Sequence, residues 1–271
     1  MMATDVTFDT NMWIRLVNEP MRQQHKERLQ IERVLRRVEA RKINPFFCDA
    51  TIWESVDRKR RKEVLNEFAN PDMQVTSLSM TGLTSDGEPI LTSRLEMQNQ
   101  PDLTVNQNWQ SDIRAALELG LLFINSRVPN FGQMVGDLGL EPPIYKTVGV
   151  PSNQDRMDRF MEAEDELNRH GVGMDAIRTQ VAQALGIAPE KVVMVQMAVL
   201  GDNKVKKSVA EWVDALVVCS HYAYGHPYLC TLDEGGGAGP KSVMHTSHRQ
   251  WLKDFGIEIL DAKDLADRID V

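Results

Sequence analysis

"DALVVCSHYAYGHPYLCTLDEG", residues 214–235, decides how this chain is read. Its first half, within Val209 to Tyr224, has the apolar spacing of a helix and carries Asp214 inside it. Its second half, Tyr228 to Thr231, is a short apolar run with strand character, and it ends just before Asp233. A helix, a buried strand and an acid at the strand's carboxyl end are the unit of an open α/β sheet, where sites form beyond the carboxyl ends of the strands.

The same unit opens the chain. Asp5 to Phe8 predicts a buried strand, Asp9 follows it, and "TNMWIRLVNE" predicts a helix that Thr10 or Asp9 caps. From Pro20 a long basic helix is expected through "MRQQHKERLQIERVLRRVEARK". Asn44 to Cys48 predicts a second strand, and Asp49 is placed as the cap of a helix holding Glu54. Met73 to Met97 alternates around "SDGEP" as a β-hairpin does. Further helices are expected over "WQSDIRAALELGLLFINS", Gln154–His170, Asp175–Leu185 and His245–Phe255. Strands are expected at "KVVMVQMAVL" and "GIEIL", and "DAKDLADRI" closes the chain as a helix. "VPNFGQMVGDLGLEPPIYKTVGVPSN", rich in Gly and Pro, reads as a long packed loop. The fold class is therefore α/β, one domain over 1–271. Its core lies in 4–68 and 155–271, and 70–153 is an insertion or elaboration.

Composition narrows the function classes. The 271 residues carry a net charge of −8, which argues against a protein that coats nucleic acid nonspecifically. No apolar run approaches the roughly 20 residues of a membrane helix. The first fifteen residues, with Asp5 and Asp9 among short apolar pieces, do not form a signal-peptide pattern. Cys48, Cys219 and Cys230 lie in apolar stretches without CxxC spacing, as buried thiols of a reducing cytoplasm do. A cytoplasmic protein without membrane contact is expected.

Four acids stand where chemistry is expected: Asp9 and Asp233 at strand ends, Glu54 and Asp214 on neighbouring helices. Carboxylates brought together without a cation repel one another, so such a cluster implies a divalent ion. Oxygen-only ligands favour Mg²⁺ or Mn²⁺ over zinc, and such a site suits metal-assisted phosphodiester hydrolysis. For single residues the plainer readings are helix capping for Asp9 and an ordinary exposed position for Glu54.

"FDTNMWIRLV", "FFCDATIWESV" and "DALVVCSHYAYGHPYLCTLDEG", with "GIEIL" behind them, together resemble the PIN-domain nucleases, a family that includes the ribonucleases of bacterial toxin–antitoxin pairs. The match runs over about 4–68 and 190–271. Asp9-Thr10 matches the family's acid after the first strand, Glu54 its helical Glu, Asp214-Ala215 its third acid, and Thr231-Leu232-Asp233 its Thr-x-Asp. The resemblance implies a three-layer PIN-like fold, with a central parallel sheet flanked by helices and enlarged by an insertion. It also implies a metal-dependent endonuclease, usually acting on RNA, whose four acids bind Mg²⁺ or Mn²⁺. Asn11 and Thr231 are placed behind them, orienting carboxylates. Two departures are the long stretch between Glu54 and Asp214 and the "DEGGGAGPKS" that follows the strand.

That glycine-rich stretch is not a phosphate loop. Counted from Gly235, the second glycine of G-x-x-x-x-G-K-[ST] falls at Pro240, which has no N–H to give. It reads either as a plain loop or as a flap bringing Lys241, His245 and His248 towards a phosphate. His221 with His226, and His245 with His248, lack the partners of a zinc site, and surface or substrate-contact roles are expected. From Met21 to Glu63, thirteen Lys and Arg stand against seven Asp and Glu. Within that run, "DRKRRK" makes Arg58, Arg60 and Arg61 candidates for a phosphate track, with a solvated face as the plainer reading. RNA is the expected partner, with structured or single-stranded DNA as a variant. An inhibitor protein and a homodimer are further possibilities. The rival expectation is a catalytically silent binding or regulatory module that docks a partner through the insertion.

Overall fold

The computed structural model describes residues 3–56, 60–69, 73–83, 89–97, 107–126, 152–235 and 239–269. The long Gly- and Pro-rich loop expected over 128–153 lies almost wholly outside them. The chain is α/β, with a five-stranded, all-parallel sheet flanked by helices. The strands are β1 (Thr4–Phe8), β2 (Ile43–Cys48), β5 (Leu122–Ile124), β6 (Tyr228–Cys230) and β7 (Ile259–Leu260), in the order β5-β2-β1-β6-β7. The expected hairpin forms as β3 (Met73–Leu83) and β4 (Pro89–Met97), an antiparallel pair outside this sheet.

Strand alternation sorts the core into two sides. Val6 and Phe8 of β1, Phe47 of β2, Phe123 of β5, Cys230 of β6 and Leu260 of β7 point into one cluster. It contains the helices Thr10–Val17, Arg28–Glu39 and Ala262–Ile269. Phe46, Cys48, Ile124, Leu229 and Ile259 point to the other, under the helix Asp202–Tyr224. A parallel sheet buried on both faces has this near-continuous apolar character. In the first cluster Phe47 meets Phe123 at 4.0 Å with the rings tilted, while Trp13 meets Phe47 at 5.1 Å and the edge of Trp109 at 5.6 Å.

Several expectations are corrected. Residues 107–126 fall within the stretch set apart as an elaboration, yet β5 extends the main sheet beside β2 and the helix Gln107–Glu118 packs on Thr10–Val17. The expected helix there stops early because Gly120, at φ +95°, turns the chain into β5. The run 191–200 forms no strand. It coils into the 3₁₀ turns Pro189–Lys191 and Met194–Val199, burying Val195, Met197 and Ala198. The long basic helix is two, Glu19–Gln23 and Arg28–Glu39. The helix expected over His245–Phe255 begins as a 3₁₀ turn, Thr246–His248, and becomes α-helical at Arg249–Phe255.

Asp49 does not cap its helix. It is fully buried and turns to Ser126 beyond β5, accepting from that backbone N–H at 2.7 Å and from its hydroxyl. Nor are His221 and His226 surface groups. Both are buried, and their Nδ1 atoms lie 3.0 and 2.8 Å from the Thr7 hydroxyl on the back of β1. Burial pushes His221 well below the usual imidazole range and His226 down to about 4. The three cysteines are free and buried, as expected.

Candidate active site

The strand order runs outward in both directions from the β1–β6 pair. That reversal opens a crevice at the carboxyl ends of the two strands, where open α/β sheets place their sites. Asp9 ends β1 and Asp233 follows β6, and the Asp9 N–H donates to the Cys230 carbonyl at 3.0 Å across the pair. The topology therefore brings together two acids more than two hundred residues apart in sequence.

Asp9 is buried and tightly held. It is the N-cap of the helix Thr10–Val17 and accepts from the Thr10 N–H at 2.6 Å. Its other oxygen accepts from the Thr231 hydroxyl at 2.8 Å. That hydroxyl in turn accepts from the Asp233 N–H at 2.9 Å, so one Thr ties both strand-end acids together. Asn11 braces the same turn, accepting from the Leu232 N–H at 2.9 Å and donating to Thr231 at 3.4 Å. Capping therefore does not take Asp9 out of the cluster of strand-end acids. Burial pushes its carboxyl up to about 6, against the pull of Thr231 and Thr10 and with the Asp233 charge adding to the rise.

Glu54 comes from the short helix Ile52–Ser55 after β2. Burial pushes its carboxyl up to about 7. Thr10 and the Arg61 charge oppose that rise, and the charges of Asp9 and Asp233 add to it. A chain of side chains supports it. The Trp13 indole N–H donates to Thr51 at 3.4 Å, Thr51 and Thr10 share a hydrogen bond at 2.7 Å, and Thr10 bonds Glu54. Asp214 completes the set from the middle of the helix Asp202–Tyr224. Its carboxyl is raised well above the ordinary range by burial, then by Asp9, Glu54, Glu211 and Asp233. All four predicted acids therefore lie within electrostatic reach of one another.

Glu211 is a fifth acid that sequence reasoning missed. It sits three residues before Asp214 on the same helix, a spacing that puts both on one face. Burial pushes its carboxyl up to about 7, with Ser242 opposing and Asp233 adding. The signal was present in the sequence as "EWVD", but nothing there says which face of the helix meets the strand ends.

Among the described residues no three His, Cys, Asp or Glu side chains are closed into a ligand shell as they stand. What the fold brings within electrostatic reach is a set of carboxylates, most of them driven towards their protonated forms by burial and by each other. That donor chemistry fits Mg²⁺ or Mn²⁺, hard cations that take carboxylate oxygen and retain water.

The predicted phosphate track is partly corrected. Arg61 is buried and faces inward: its Nη2 donates to the Glu54 carbonyl at 2.6 Å and its Nε to the Val56 carbonyl at 3.2 Å. It clamps the turn that carries Glu54 and is not displayed to a ligand. Arg60 pairs with Glu63 at 3.6 Å, and Arg58 lies outside the described residues. Lys241 is exposed, and His245 and His248 are partly exposed. Arg61→Ala is expected to cost about 1–3 kcal/mol, since two buried carbonyls lose their donor. It also raises the Glu54 pKa further by removing an opposing charge. Urea unfolding and a carboxyl NMR titration read the two effects, and an unmoved Glu54 titration contradicts the clamp.

Gly235, the first glycine after Asp233, is required by its backbone. Its φ is +74°, and a Cβ there would lie 2.5 Å from the His245 Cα. Its N–H donates to the Asp233 carboxylate at 2.7 Å. The glycine is required for close backbone approach beside an acid. Compared with known proteins, the chain matches no family model, no curated protein and no solved structure.

Proposed function

We propose that the chain is a divalent-metal-dependent endonuclease of the PIN type, with a three-layer PIN-like fold, hydrolysing phosphodiester bonds in RNA. The observation that carries the reading is the convergence of Asp9, Glu54, Asp214 and Asp233 at the switch point of the parallel sheet. Burial and mutual repulsion there raise the carboxyl pKa values of Asp9, Glu54 and Asp214. A fold stores that much like charge in one place when a cation offsets it.

Asp9, Glu54, Asp214 and Asp233 would hold Mg²⁺ or Mn²⁺. Bound there, the ion supplies a Lewis acid for the phosphodiester and brings the pKa of a water towards neutrality. The protein's own part is positioning. Thr231 fixes the Asp9 carboxylate and the Asp233 backbone, Asn11 fixes the turn between them, and Arg61 with Thr10 fixes Glu54. Supports behind ligands of this kind set ligand orientation and metal affinity. Glu211 adds negative charge on the Asp214 side.

The test is cleavage of end-labelled RNA by the purified protein with Mn²⁺ or Mg²⁺, and its loss in EDTA. The expected result is internal cutting that depends on the ion. No cutting of single-stranded or duplex RNA with either ion, together with no thermal shift on adding Mn²⁺, overturns the reading.

A further inference from the structure

A cavity of about 540 Å³ opens at the carboxyl end of the helix Thr10–Val17, between it, Glu19–Gln23 and Gln107–Glu118. That volume lies in the range of small-molecule sites. Asp9 caps the other end of the same helix, about 12 Å away along its axis, so the cavity is separate from the acid cluster. Its apolar walls are Ile14, Met21 and Trp109, and its polar walls include Asn18, Ser111 and Asp112.

The apolar walls combine a fixed part with an adaptable one. Ile14 is buried, and Trp109 is held edge-on against the buried Trp13 at 5.6 Å while still lining the cavity. Met21 keeps 41 % of its surface exposed, and a thioether chain moulds itself to what is placed against it.

The polar walls carry a charge without a counter-charge. Asn18 Oδ1 accepts from the Met21 N–H at 3.1 Å, so its Nδ2 is the atom that donates to Asp112 Oδ1, also at 3.1 Å. Asp112 Oδ2 has no hydrogen-bond partner among the described residues. Burial raises the Asp112 carboxyl, Asn18 opposes the rise, and no neighbouring cation takes part. Arg22, on the adjoining helix, is committed elsewhere: its Nη1 donates to the Arg15 and Leu16 carbonyls at 3.0 and 2.8 Å. An oriented carboxylate beside an indole, with no cation of its own, is complementary to a positive group. A bare metal ion would find too few oxygens here. One acid facing three apolar side chains asks instead for one charge on an apolar body.

We infer that this cavity binds an amphipathic monocation, an apolar or aromatic body with one ammonium or guanidinium head. The head sits on Asp112, and the body lies against Ile14, Met21 and Trp109. The inference goes beyond the nuclease reading and does not rest on it.

The experiment titrates the protein with phenylethylamine, phenylethanol and phenylpropanoate, which share a body and differ in the head. Amide and indole NMR shifts and tryptophan emission report binding. The amine is expected to bind about threefold to thirtyfold more tightly than the alcohol, and the carboxylate least of all. Asp112→Asn keeps an oxygen for Asn18 to bond and is expected to bring amine and alcohol to equal affinity. Met21→Lys, an exposed change, sets a competing cation in the cavity and weakens the amine while sparing the alcohol's preference for the apolar walls. Trp109→Phe removes the emission change. An alcohol that binds wild type as tightly as the amine overturns the inference. So does amine binding unmoved by both Asp112→Asn and Met21→Lys, or an amine that shifts no resonance of these walls. Metal-dependent cutting stands or falls separately, because none of these side chains belongs to the acid cluster.

Discussion

Asp214→Asn is expected to abolish cleavage and, in the absence of a divalent ion, to make the protein more stable. The two effects share one cause. Asp214 lies between the buried Val213 and Ala215 on the helix Asp202–Tyr224, and among the described residues no hydrogen bond compensates its carboxylate. Burial, then the charges of Asp9, Glu54, Glu211 and Asp233, disfavour its ionised form. Because the folded pKa is raised, the unfolded chain releases this proton at lower pH than the folded chain does. Ionisation therefore favours unfolding increasingly as pH rises above the ordinary Asp range. Asn removes that penalty. The thermal midpoint in EDTA should rise at pH 8, by about 2–4 °C for each kcal/mol recovered, and should be unchanged near pH 3, where both chains hold the proton. Cleavage should fall by at least about a thousandfold, the scale of losing one group matched to developing charge. Mn²⁺ should stabilise the wild type and leave the variant nearly unmoved. A variant less stable in EDTA at pH 8 contradicts the electrostatic account. Asp9→Asn is the instructive contrast. Asp9 also caps a helix and accepts from Thr231, so its loss removes cleavage without the same gain in stability.

The parts of this site legible in the sequence were those fixed by chain-local rules. Strands β1, β2 and β6 are short apolar runs, each followed within three residues by an acid or by the helix holding one, and the sheet carries those residues to one end. What the sequence concealed depends on which way a side chain faces once packing is complete. Arg61 sits in a run of charges that reads as a solvated surface, yet the turn after Glu54 directs it inward to two carbonyls. Glu211 is an ordinary helix glutamate until the helix face is known. The run 191–200 is apolar enough for a strand, but a short apolar run does not declare its period. It coils over the helix Met174–Leu185 instead. Strand β5 was hidden because it follows a helix of similar composition, with Gly120 as the break. The stacked contact of His170 with Trp251 was invisible for the same reason. The two are 81 residues apart and meet only through tertiary packing.

Affinity for Mn²⁺ and the rate of cleavage are both expected to climb steeply between pH 5.5 and 8. Glu54 is pushed up to about 7 and Asp9 up to about 6, so at pH 5.5 both hold protons that an ion must displace. Each proton displaced contributes a factor of about ten per pH unit below its pKa. Cleavage should rise by about a hundredfold from pH 5.5 to pH 8 and flatten above the Glu54 pKa. In EDTA the same groups act in the opposite sense. Glu54, ordinarily at 4.5, keeps its proton in the folded chain up to about 7, so its contribution to stability falls as pH rises between those values, by about 3 kcal/mol in all. The buried imidazoles work against this. His226 is depressed to about 4, so its contribution is complete above the usual 6.5 and is lost as pH falls from there towards 4. The raised carboxyls Asp9, Glu54, Glu211 and Asp214 outnumber the two imidazoles, so the metal-free protein loses stability as pH rises through 6, and the stabilisation added by Mn²⁺ grows from near zero at pH 5 to its full value at pH 8. Thermal shift at matched pH with and without the ion separates the two contributions, and Glu54→Gln should remove part of the growth while leaving the histidine limb in place. A Mn²⁺ shift independent of pH would mean that the ion binds away from Asp9 and Glu54, because a cation held by those carboxylates has to displace their protons.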